Sequence, residues 1–145
     1  MTLHLALGAR DMGFLVGAGL ALSVGLSATF LGLDRDRAFY PTIMIVIASY
    51  YGLFAVMAGS VQILALESIA IVTFLAASIA GFKRSLWLVV AALAAHGVYD
   101  FVHGQLIANP GVPLWWPAFC LAYDLAAAAY LAWLLTRSKV RAAAT

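Results

Sequence analysis

Five long apolar runs, separated by short polar or turn-forming breaks, leave this chain one kind of environment to fold in. They cover residues 13–33, 38–58, 61–82, 86–108 and 114–136. A helix rises about 1.5 Å per residue, so each run can cross a hydrocarbon layer about 30 Å thick. Barrel strands are excluded, because they are about ten residues long and alternate polar with apolar positions. Composition agrees: of 145 residues, 66% are hydrophobic and 10% charged, whereas soluble domains carry roughly 25% charged residues. The expected fold is all-α, one integral membrane domain over residues 1–145 built as a bundle of five transmembrane helices.

The breaks differ in strength. Asp34, Arg35, Asp36 and Arg37 close the first run, and Lys83, Arg84 and Ser85 the third. Asn109, Pro110, Gly111, Val112 and Pro113 form a strong turn signal after the fourth. Only Gly59, Ser60 and Gln62 mark the second break. No basic residue precedes Arg10, and the run after it is long enough to span, so a cleaved signal peptide is not expected.

Charge sets an orientation. Seven of the eight basic residues (Arg35, Arg37, Lys83, Arg84, Arg137, Lys139 and Arg141) fall on one side of a five-span arrangement, and only Arg10 falls on the other. The positive-inside rule then places the N-terminus outside and the C-terminus in the cytoplasm of a multi-pass protein of a cell (inner) membrane. Trp115 and Trp116 would mark the outer interface, and Trp87 and Trp133 the inner one. The net charge of +2 is spread over several loops, and no basic patch points to nucleic acid. A single cysteine, Cys120, excludes an internal disulfide framework and a cysteine-based zinc knuckle.

In the first run Gly13, Gly17, Ala21 and Gly25 recur at every fourth position. Such a small-residue stripe lets two helices approach closely, within the chain or toward a homo-oligomer or membrane-protein partner.

Against this apolar background stand Glu67, His96, Asp100, His103 and Asp124. Ionisable groups in hydrocarbon are costly and mark functional sites by default. On a helix, Asp100 lies about 40° from His96 and His103 about 20° to its other side, so the three share a narrow face bordered by Tyr99. Counted from the outer edge, His103, Asp100 and His96 lie at depths of roughly 7, 12 and 18 Å, Glu67 at 9 Å and Asp124 at 15 Å. Tyr50 and Tyr51 reach a similar depth, and Cys120 lies one turn above Asp124.

Imidazoles with carboxylates form a mixed nitrogen and oxygen ligand set suited to zinc, iron, manganese or copper. The expected metal ligands are His96, Asp100, His103, Asp124 and Glu67, with Glu67 or Asp124 as a catalytic acid–base group. The spacing His-x3-Asp-x2-His is neither the Glu-x2-His of di-iron bundles nor the His-Glu-x2-His of zinc proteases. The function this points to is a membrane protein in contact with membrane lipid that binds a metal, with an enzyme acting on a lipophilic small molecule as one form of that site. Two alternatives remain open: a proton- or ion-coupled transporter, and an assembly subunit with a hydrogen-bonded polar core. Nothing ionisable continues the path inward below His96 and Asp124, which favours a pocket over a channel. Smaller candidates read as structure: Cys120 as a buried apolar residue, His4 as interfacial, and residues 109–113 as an outer turn that can also cap the pocket.

Overall fold

The computed structural model describes residues 2–140, without the side chains of residues 2–7, 9 and 10. It contains helices α1 (Thr2–Leu31), α2 (Phe39–Met57), α3 (Val61–Lys83), α4 (Trp87–Leu106) and α5 (Trp116–Thr136). A short 3-10 turn, Leu33–Arg35, follows α1, and there is no strand among the described residues. The side chains of His4 and Arg10, and the whole of Arg141, lie outside the described residues.

Four segments are long and apolar enough to cross a membrane: Asp11–Leu31, Phe39–Met57, Val61–Lys83 and Trp116–Thr136. The remaining helix, α4, has 20 residues but carries His96, Asp100, His103 and Gln105. These dilute its apolarity. At about 1.5 Å per residue it is nonetheless about 30 Å long.

Helix ends follow local chemistry. α1 begins well before residue 13, because Arg10 and Asp11 interrupt an apolar run without opposing helical backbone. The weakly marked break at residues 58–60 is a paired hydrogen-bond motif around Gly59, whose φ is +67°. There the Ser60 N–H donates to the Ala55 carbonyl at 3.3 Å and the Gly59 N–H to that of Val56 at 2.9 Å. The Ser60 hydroxyl then caps α3, accepting from the Ile63 N–H at 3.2 Å. α5 starts at Trp116 with Pro117 in its first turn, where a missing N–H costs little.

α1 and α5 run parallel: Gly13 meets Trp115 and Phe119, Gly17 meets Phe119, and Gly25 meets Tyr130. Gly13, Gly17, Ala21, Gly25 and Ala28 are buried, so the stripe is occupied within the chain by α5. A Cβ on Gly17 would lie 2.2 Å from the Phe119 carbonyl oxygen, a contact between backbones that only glycine allows. α4 runs antiparallel to α3 and to α5, with Glu67 against His103, Phe74 against His96, and His96 against Asp124.

The interior divides lengthwise. Toward the 32–38 loop the core is apolar, built from Met44, Ala48, Leu86, Val89, Leu93, Leu131 and Leu134. Toward the 107–115 loop it is polar. The apolar end also gathers the basic loops: Arg37 Nη2 donates to the carbonyls of Phe82 at 2.8 Å and Gly81 at 3.3 Å, capping the end of α3.

Candidate functional site

Glu67, Asp100 and Asp124 are buried at 0% exposure, His96 at 1% and His103 at 2%. The helix-face arithmetic holds for α4, since His96, Asp100 and His103 all point into the bundle. Neither histidine points outward, and each meets a carboxylate of a different neighbouring helix.

The first group is His96, Asp100 and Asp124. His96 Nδ1 hydrogen-bonds Asp124 Oδ2 at 2.7 Å. Asp100 Oδ2 lies 3.1 Å from the same nitrogen, too skewed for a hydrogen bond. One nitrogen thus faces two carboxylates, and ligand atoms of the three residues lie within 4.8 Å of one another. Both Asp100 oxygens and Asp124 Oδ1 lack any hydrogen-bond partner. Buried polar atoms are nearly always paired, so three orphaned carboxylate oxygens at one point are a strong anomaly.

The second group is closed. Glu67 Oε1 accepts from His103 Nε2 at 2.8 Å and from Asn109 Nδ2 at 2.9 Å. Its Oε2 accepts from the Tyr99 hydroxyl at 3.3 Å. Asn109 is fixed in turn, because its Oδ1 accepts from the Gly111 N–H at 3.1 Å. Gly111 is required there: a Cβ would lie 2.1 Å from the Phe54 carbonyl oxygen. A cleft of about 580 Å³ under the 107–117 loop reaches His103 and Asn109.

Tyr51 of α2 joins the two groups. Its ring stacks on His103 at 4.0 Å with 24° between planes. Its hydroxyl lies beside the Asp100 carboxylate, without the alignment of a full hydrogen bond. Phe74 closes the far side of His96 edge-on at 4.6 Å.

The sequence pattern therefore brings the five residues together as two groups rather than one shell. Asn109, read as a turn residue, is a full member of the second group. Its amide sits in a loop, where no periodicity reports direction. A smaller polar contact was also not foreseen: Asp34, at a segment end, is 3% exposed and accepts from the Thr29 hydroxyl, which also contacts the Tyr130 hydroxyl at 2.9 Å.

The first group matches a metal's needs in donor type, number and convergence. Ligands about 2.1 Å from a tetrahedral ion stand about 3.4 Å apart. The contacts at 2.7 and 3.1 Å are hydrogen-bond distances. Metal uptake there requires the atoms to spread, the 2.7 Å pair by about 0.7 Å and the 3.1 Å pair by about 0.3 Å, and a shared proton to leave.

Charge counting points the same way. Three carboxylates face two imidazoles, so even with both imidazoles protonated the ionised cluster carries a net negative charge. Buried net charge is costly, so the cluster calls for a further positive charge, a proton or a cation. Comparison with protein-family models, with curated proteins and with solved structures finds no match for this chain.

Proposed function

We propose that this protein is a multi-pass inner-membrane protein that holds a divalent transition metal (zinc, iron, manganese or copper) at His96, Asp100 and Asp124, and acts on a lipophilic substrate. The observation that carries the reading is the convergence of two carboxylates on one imidazole nitrogen, with three of the four carboxylate oxygens making no hydrogen bond of their own. In this reading α4 is the fifth span. Its length suits the bilayer, and its polar face is shielded between α3 and α5. The loops carrying Arg37 and Lys83 sit in the cytoplasm, which leaves the polar half of the bundle in the outer leaflet.

When bound, the metal would supply Lewis acidity and an activated water, or a redox centre. The chain's own residues do the rest. Asp124 keeps Oδ1 free beside the site and serves as its acid–base group. Tyr51 offers its hydroxyl next to Asp100. Glu67 and His103, read from the sequence as ligands, hold α3, α4 and the 107–115 loop in place through their closed network. That network is what the assembly reading expects of a polar core, and it applies to this half of the cluster alone. Transport has less support, because all five helices run unbroken among the described residues, without the midplane breaks of transporter sites.

Elemental analysis of the purified full chain, grown with zinc, manganese, iron and copper supplied, tests the reading. About one metal per chain is expected in the wild type and in His103→Ala, and far less in His96→Ala and Asp124→Asn. A wild type without stoichiometric metal, or metal retained in His96→Ala, would overturn it.

A further inference from the structure

A second feature lies one layer of side chains from Asp124. A groove of about 290 Å³ runs between α1, α2 and α5, walled by Leu20, Ile43, Ile47, Tyr50 and Phe119. It exists because α1 packs along α5 and α2 along α3, while α1 and α2 scarcely meet. It extends from Trp116 to Tyr123 on α5 and from Tyr50 to Ile43 on α2, about 10 Å along the helix axes. At its rim Leu20 is 45% exposed and Val46 47%. Both belong to the apolar flank that faces hydrocarbon in a bilayer.

The groove has a polar floor. Tyr123 lines it and is 8% exposed. Cys120, at 3% exposure, lies beside it. Cys120 precedes Asp124 by one helical turn on the same face of α5, so it lines the groove and neighbours the carboxylate.

The setting decides the occupant: the walls are apolar and the groove opens onto the exposed apolar flank of α1 and α2, both apolar enough to cross a membrane. A single extended hydrocarbon chain, about 4–5 Å across by carbon contact distances, needs less than about 200 Å³. We infer that this groove binds one acyl chain of a membrane lipid, entering sideways from the bilayer, with its inner part against Tyr123 and Cys120. The inference leans on the proposed metal site only for its consequence, which is that a lipid becomes the substrate class of that site.

The test uses the full chain in phosphatidylcholine nanodiscs containing a phospholipid with a photoactivatable diazirine in its acyl chain, with adducts mapped by mass spectrometry. Labelling of Phe119 and Tyr123 is expected to exceed that of the lipid-facing Ile69 and Val72 of α3 at least fivefold. Val46→Trp and Leu20→Trp, which fill the groove from opposite walls, should each lower the groove labelling at least fivefold and leave α3 labelling unchanged.

Even labelling over both faces would overturn the inference. So would groove labelling untouched by both variants, or cross-linked dimers in place of lipid adducts. Metal content is read on the same samples. Loss of metal with labelling intact counts against the proposed function and leaves the groove standing.

Discussion

Glu67 and Asp100 are equally buried carboxylates within one polar half of the same bundle, and their neighbours treat them in opposite ways. Glu67 receives three donors from two residues of α4 and one of the loop beyond it. Asp100 receives none. Both carry the cost of leaving water, but Glu67 has three donors to itself while Asp100 shares the single His96 nitrogen with Asp124. The difference separates two uses of intramembrane polarity. A satisfied network holds helices in register, whereas an unsatisfied carboxylate persists where something outside the chain completes it.

The contrast can be broken most directly at Glu67. Glu67→Ala strands the His103, Asn109 and Tyr99 donors together, and the expected loss is about 2–4 kcal/mol of stability. Unfolding in mixed micelles measures it, and a loss under about 1 kcal/mol would remove the structural role given to this group. Asp100→Asn should move the other way, gaining up to about 1 kcal/mol in the metal-free protein, because it leaves one carboxylate instead of two on the His96 nitrogen and keeps its shape. If it destabilises as much as Glu67→Ala, the two carboxylates do the same work and the contrast fails. The smallest effect is expected from Tyr99→Phe, which deletes the longest of the Glu67 bonds, at 3.3 Å. Interhelical bonds of this kind average about 0.6 kcal/mol, and a double-mutant cycle with Glu67→Gln resolves whether that much is coupled.

Much of this was legible in the residues. Apolar run length located all five helices, because the run needed to cross a bilayer is the run that makes a long helix. The 3.6-residue period put His96, Asp100 and His103 on one inward face. The division of labour was not legible. His96 and His103 differ by a small rotation on α4, but His96 turns to α5 and His103 to α3, and no pattern within one helix reports how its neighbours are rotated. The role of Asn109 was hidden for a similar reason: its direction depends on Gly111 pressing against the Phe54 carbonyl. The stripe of Gly13, Gly17, Ala21 and Gly25 announced a close contact but not with what, and α5 filled it from the far end of the chain.

That pairing of the first helix with the last has a consequence for the order of assembly. During synthesis α1 is in place long before its partner exists, and at about 5–20 residues per second the wait is roughly 5–20 s. Until α5 arrives, the glycine face of α1 has no groove to fill and the His96 imidazole has no Asp124. α5 therefore completes the packing of α1 and the candidate site in one event. A ribosome stalled before residue 116 would hold a nascent bundle whose most costly side chains are still without their counterpart, a natural substrate for membrane quality control.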